Sequence, residues 1–380
     1  MTPPEEPSGV IGVAPAEGDD TSPTRPAQVL GGSALVVVGA VLVGAGVGLV
    51  PFVLETAATV RSVVCVVFVA AGVTALALGV RRALGGRRRA PVTIGASVLV
   101  LVVVLVSVAT VGPAVAATNV VPTDVGPTPA TVGLEHRSVT LTTADGVPLA
   151  AWYVEGTRGA GVLVLHGAGS TRSAVLDQAA AIARAGYSVL LVDARGHGDS
   201  GGTAMDFGWS GDLDIAAGTA YLASRPEVDP RRIGVVGFSM GAEEAIGAAA
   251  SDERIRAVVA EGATARQADD KAWLSEVYGW RGWLQERIED VQYGLTDLLS
   301  DAAHPVALRR AVGESRDTQF LLIAAGEVDD ERRAAAHLRD AASDRVSVWV
   351  VEGAGHVGAY RDDPEEWRRR VVDFLDQRLD

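Results

Sequence analysis

Cysteine is almost missing from this chain: Cys65 is the single one in 380 residues. No intramolecular disulfide can form, which excludes a disulfide-stapled scaffold. Lysine is equally scarce, with Lys271 alone among 33 basic side chains, a bias that points to a GC-rich bacterial genome. Positive charge as a whole is short, since 47 acidic residues leave a net charge of −14. With no basic surplus to neutralise phosphates, nucleic-acid binding is excluded as a main function. Apolar side chains are not short. They make up 48% of the chain, with a mean hydropathy of +0.24, too many for a disordered polymer.

Such acidity and such hydropathy do not belong to one soluble surface, and dividing the chain after Thr131 separates them. Residues 1–131 carry 7 basic and 7 acidic side chains, whereas residues 132–380 carry 26 and 40. The first part holds three stretches without charge, at 26–54, 62–80 and 90–123. A helix needs about 20 apolar residues to cross a bilayer, so each is long enough. We expect a tail over 1–27, membrane helices near 28–54, 62–80 and 91–117, and a linker over 118–133, rich in Pro, Thr and Gly and poorly ordered. The short loop 81–89 contains Arg81, Arg82, Arg87, Arg88 and Arg89. Arginine in short loops marks the cytoplasmic side. The N-terminus is then cytoplasmic and residues 134–380 extracytoplasmic, in a multi-pass plasma-membrane protein. The first run lacks the basic leader and cleavage site of a signal peptide. No ionisable residue sits within a span, so an anchor is expected rather than an ion pathway. Gly44 and Gly48 form a small-xxx-small pair, for which chance suffices in so Gly-rich a segment.

From residue 134 the pattern becomes short β-branched runs alternating with amphipathic helical segments. Runs at 139–142 and 149–154 flank Asp145-Gly146 and read as a hairpin. Further runs follow at 161–165, 188–192, 233–236, 257–260, 320–324 and 346–351. Helices are expected at 174–185, 211–223, 242–250, 331–341 and 364–379, the last with Trp367, Val371, Phe374 and Leu375 on one face. This alternation implies an α/β class with a mostly parallel sheet covered on both faces.

Gly237-Phe238-Ser239-Met240-Gly241 follows the run 233–236 and opens a helical segment. Gly-x-Ser-x-Gly in a strand–turn–helix setting lifts a serine hydroxyl above the sheet edge, where the next N–H faces a developing oxyanion. A nucleophilic serine needs a histidine base and an orienting acid. Of the six histidines, His304, His337 and His356 follow Ser239. His337 lies in a helical pattern, while His356 sits in Gly353-Ala354-Gly355-His356, directly after the last strand.

At these residues the chain resembles the α/β-hydrolase family, over nearly all of 135–380 and none of the membrane part. Leu165-His166-Gly167-Ala168-Gly169 is similar to the family's oxyanion loop, and Asp193-Ala194-Arg195-Gly196-His197-Gly198-Asp199-Ser200-Gly201 to its loop after the fourth strand. Asp193, Arg195 and His197 read as structural. The resemblance implies Ser239 as nucleophile and His356 as base, with the N–H groups of Met240 and Ala168 (or Gly167) as oxyanion donors. The family's Gly-x-x-Asp falls on Asp329, with Glu327 and Asp330 as competitors for the triad acid. It implies no metal and no organic cofactor. The expected activity is acyl-ester hydrolysis of a small-molecule or lipid substrate. The alternatives are a serine peptidase of the same fold and an inactive membrane-tethered receptor or scaffold. An insertion over about 262–310, with Trp273, Tyr278, Trp280, Trp283 and Tyr293, stands where the family places a cap. Its aromatics are expected to pack on the core, line an acyl pocket or enter the membrane interface.

Overall fold

Every apolar run of the second half becomes a strand, and the strands join in one sheet. The computed structural model describes residues 26–54, 60–84, 90–121 and 123–380. The expected tail, up to residue 25, and the loop residues Arg87, Arg88 and Arg89 lie outside the described residues. The sheet contains β1 (Arg137–Thr142), β2 (Pro148–Val154), β3 (Gly161–Leu165), β4 (Ser188–Val192), β5 (Ile233–Phe238), β6 (Ile255–Glu261), β7 (Gln319–Ala325) and β8 (Val346–Val351), in the order β1-β2-β4-β3-β5-β6-β7-β8. β1 and β2 are antiparallel, β2 meets β4 antiparallel, and all later pairs are parallel.

Alternation along the strands builds two cores, because successive side chains point to opposite faces. Leu163, Leu165, Leu190 and Val235 pack on one side; Val162, Val164, Leu191 and Val236 pack on the other. The helices of the described domain are α5 (Leu176–Arg184), α6 (Gly211–Ala223), α7 (Met240–Ala248), α8 (Leu274–Tyr278), α9 (Trp280–Leu299), α10 (Leu308–Glu314), α11 (Asp329–Arg339), α12 (Ala359–Asp362) and α13 (Pro364–Leu379). α6, α7, α10 and α11 cover the first core, and α5 and α13 the second. Trp367, Val371, Phe374 and Leu375 form the buried face of α13, as its periodicity predicts.

Preceding the sheet are α1 (Pro26–Gly48), α2 (Val50–Leu54), α3 (Val60–Leu84) and α4 (Ala90–Ala117). Three segments, Gln28–Gly48, Val60–Leu84 and Pro91–Ala117, are long and apolar enough to cross a membrane. The first expected span, 28–54, is divided at Leu49, ahead of Pro51, whose ring and missing N–H disfavour a continuous helix. The turn of α2 buries Phe52 beneath the Arg61 guanidinium, 4.8 Å from the ring centroid. The reading of Gly44 and Gly48 as chance is corrected. A Cβ on Gly44 would stand 2.6 Å from the Ser107 carbonyl oxygen, and one on Gly48 2.4 Å from that of Gly112. Both glycines therefore let α1 and α4 touch backbone to backbone.

The stretch expected to be a loose linker is laid along the hydrolase-like domain instead. Val125, Val132 and Leu134 pack on its second core, and residues Pro129–Val132 form a 3-10 turn. The end of α4 is tied down too: the Met205 N–H donates to the Ala117 carbonyl and the Val120 N–H to that of Thr203, each at 3.0 Å.

Candidate active site

The carboxyl ends of β3, β5, β7 and β8 bring the site residues together, where a parallel sheet places its ligands. At the end of β5 the chain turns sharply into α7, with Ser239 at φ 53° and ψ −120°. A non-glycine residue holds such a backbone only when its surroundings impose it. Here the flanking glycines allow it. A Cβ on Gly237 would lie 2.1 Å from the Gly241 carbonyl oxygen, and one on Gly241 2.6 Å from that of His166. The Ser239 N–H is held by the Glu261 carbonyl at 2.8 Å.

His356 Nε2 lies 2.9 Å from Ser239 Oγ. On the other side of the ring, Nδ1 lies 2.6 Å from Glu331 Oε1. Glu331 Oε2 accepts the Ala325 N–H at 2.8 Å, so both carboxylate oxygens are fixed. The Glu331 side chain is 1% exposed, while the imidazole is half exposed. The Glu331 carboxylate raises the His356 pKa above its ordinary value, and partial burial opposes the rise.

The expectation that Asp329 orients His356 is therefore corrected to Glu331. Asp329 opens α11 on the outside, 43% exposed, with Tyr278 Oη donating at 2.8 Å and Arg332 and Arg333 each at 2.7 Å. Arg333 and Tyr278 hold its carboxyl below the usual range. Two residues along a helix turn it by about 200°, so Asp329 and Glu331 cannot face the same way. Glu327 and Asp330, the other candidates, do not bond the ring: the Glu327 N–H donates to Ala354 at 3.0 Å, and Asp330 follows Asp329 into the first helical turn. The signal for Glu331 was an acid at the third position of a helix that starts where the strand ends.

The loop after β3 passes directly against Ser239, since a Cβ on Gly167 would stand 3.1 Å from Ser239 Cβ. Ala168 lies exposed in the following turn. Two neutral histidines hold this loop. The His166 Nδ1–H points at the Gly167 carbonyl (2.8 Å) and its Nε2 accepts from the Ala194 N–H (3.0 Å). His197 Nδ1 is 2.9 Å from the Arg195 carbonyl and its Nε2 accepts the Gly169 N–H at 3.0 Å. Burial pushes the His166 pKa down to about 3 and lowers that of His197. Asp193 is buried and accepts the N–H groups of Arg172 and Asp199 at 2.7 and 2.9 Å, while Arg195 bridges Asp145 and Asp214.

Buried acids that the sequence did not single out hold the frame. Glu261 accepts the Ala359 N–H (3.0 Å) and the Trp367 indole N–H (2.9 Å), joining the elbow to the chain that follows His356. Asp270 accepts from the backbone of Arg266, Gln267 and Leu308, which pins the start of the insertion to its end. Within the insertion Trp273 and Tyr293 are buried, whereas Tyr278, Trp280 and Trp283 are exposed. Among the described residues no cluster of His, Cys, Asp and Glu is arranged to hold a metal ion.

Comparison with known proteins supports the fold. The profile of the family described as serine aminopeptidase, S33, matches residues 157–356. An uncharacterised protein of Mycobacterium tuberculosis is 38% identical over 116 residues, 30% of this chain and 41% of that protein. Thiohydrolase aneE of Aspergillus aculeatus is 30% identical over 128 residues, 33% of this chain and 40% of that one. The chain thus spans about two fifths of the length of these curated relatives. Among solved structures, the esterase Pf2001 of Pyrococcus furiosus superposes with a TM-score of 0.57 at 27% identity, covering 70% of this chain and 99% of the esterase.

Proposed function

From the premise that this chain belongs to the serine aminopeptidase S33 family of α/β-hydrolases, we propose that it is a membrane-anchored serine hydrolase acting on acyl esters. The observation that carries the proposal is the relay Ser239–His356–Glu331, with contacts of 2.9 and 2.6 Å. Ser239 Oγ attacks the acyl carbonyl while His356 Nε2 takes its proton, and Glu331 holds the imidazole in the required tautomer and stabilises its cation. The N–H groups of Met240 and Ala168 receive the oxyanion. Collapse breaks the bond to the alcohol, which leaves with the proton from His356. Water then attacks the acyl-enzyme by the same route, releasing the acid and restoring Ser239. Likeness to a solved esterase over its whole length favours esters over peptides.

The hydrolase domain lies outside the cytoplasm in this reading, because the arginines of loop 81–89 mark the opposite side. A fluorophosphonate probe on the full-length protein in detergent tests the chemistry. Wild type is expected to label and Ser239→Ala not to. Labelling blocked by peptides but not by esters would move the assignment to a peptidase. A wild type that neither labels nor turns over any ester would remove the hydrolase reading in favour of a receptor or scaffold.

A further inference from the structure

The helix α9 presents an apolar stripe on the side turned away from the domain. Trp280, Leu284, Ile288, Val291, Leu295 and Leu298 follow at intervals of four or three, the period of one helical face. Trp280 is 74% and Leu298 79% exposed; Leu284 and Val291 are also exposed. The opposite face, with Gly282, Glu286, Tyr293 and Thr296, is buried against the domain. One face therefore accounts for the packing of α9 on the domain, while the stripe is exposed at Trp280, Leu284, Val291 and Leu298 and half-buried at Ile288 and Leu295. Single exposed apolar residues need no explanation, but a continuous stripe along a helix of about 30 Å marks a contact surface.

Its position identifies the occupant. α9 packs against α4, whose Val98, Leu101, Val102 and Leu105 are exposed along a segment able to span a bilayer. The stripe thus lies on a helix packed against a segment long and apolar enough to span a bilayer. Charge is distributed as at an interface: Arg281 and Arg287 border the apolar side, and Arg287 pairs with Asp290 at 2.9 Å. Tyr278, Trp280 and Trp283 gather at one corner, as aromatic side chains do at headgroup level. That corner also touches the site, because Tyr278 bonds Asp329 in the first turn of α11, the turn that supplies Glu331.

We infer that the outer face of α9 lies in the headgroup–acyl boundary of the bilayer spanned by the chain's own helices, and that the enzyme draws its substrate, an acyl ester of a membrane amphiphile, from that boundary. The inference rests on the hydrolase reading for its substrate and on geometry alone for its surface. It excludes a second copy of the chain as the stripe's occupant.

Fluorescence on the full chain in phosphatidylglycerol–phosphatidylethanolamine vesicles containing a shallow spin-labelled phosphatidylcholine tests it. Of the seven tryptophans, only Trp280 and Trp283 are exposed. The spin label is expected to quench wild-type emission, and the quenched share to fall about twofold or more in W280F/W283F. Equal emission with and without the label would overturn the inference, and wild type alone suffices to show that. In V291D/L298D, the ratio of turnover on a long-chain ester held in vesicles to that on a soluble short-chain ester is expected to fall about tenfold; an unchanged ratio counts against it. Chain-to-chain crosslinking through V291C without lipid quenching would assign the stripe to a dimer. Fluorophosphonate labelling keeps the two readings apart: labelling without quenching removes only the membrane face, and quenching without labelling removes only the hydrolysis.

Discussion

Glu331 and Asp329 stand two residues apart and meet opposite surroundings, so they make a sharp test of the relay. Glu331 gives both oxygens to fixed N–H donors in a buried position, whereas Asp329 is taken up by two arginines and a tyrosine at the surface. Glu331→Gln should lower kcat by about 10⁴, the effect of losing the tautomer that the acid enforces. Asp329→Asn should stay within about twofold, since it removes only exposed ion pairs; steady-state kinetics on a soluble ester compares them. The pH profile checks the same residue pair independently. His356 must be neutral to act as base, and Glu331 raises its pKa. Activity should therefore rise with pH through a midpoint above the ordinary value of about 6.5. Glu331→Gln removes the negative partner and should shift that limb of kcat/KM to lower pH. A limb that does not move would detach Glu331 from the relay.

At the scale of elements, the insertion is held at its neck. Asp270 accepts three backbone N–H groups, from Arg266 and Gln267 on entry and from Leu308 on exit. Asp270→Ala leaves those buried donors without a partner, a cost of about 1–3 kcal/mol for each unsatisfied group. Limited proteolysis should then cut first within 272–307, with the remaining domain intact; cleavage spread evenly over 134–380 would refute a local clamp. The same elements show what the sequence made legible. The parallel strands β3–β8 were readable because buried parallel strands are dense in Val, Ile and Leu, β1 and β2 because they flank the Asp145-Gly146 turn, and α13 because one face is apolar. The meeting of Ser239 and His356 was readable because a strained elbow and a loop after the last strand carry local patterns. Glu331 was not, since what selects it is which way the first turn of α11 faces, a property of the helix start rather than of spacing from Gly326. Gly44 and Gly48 were misread for a related reason. Nothing in one helix reveals which of its small residues meets a neighbour's backbone. The twofold character of α9 was hidden as well, because burial of one face depends on contacts from outside the insertion.

Across the whole molecule, the greasy and the acidic parts are not independent modules on a loose tether. The last carbonyl of α4 is bonded to the loop after β4, residues 125–134 lie on the domain, and α9 packs against α4. The domain is thus fixed against the end of α4 rather than joined to it by a free tether. The domain carries the whole net charge of −14, and an anionic leaflet would repel it. Attachment must come from apolar contact and from the spans themselves, so raising salt should not release it. The side on which this assembly stands follows from arginine: Arg81 and Arg82 close α3, and three more follow in the same short loop. In the proposed orientation that loop is cytoplasmic, and α4 would exit outward with residues 132–380 on the exterior. Protease added to intact spheroplasts should digest the domain while sparing a cytoplasmic marker. Protection of the domain until the membrane is permeabilised would reverse the orientation. The substrate would then have to be an ester of the inner leaflet, although neither the relay nor the lipid-facing stripe would change.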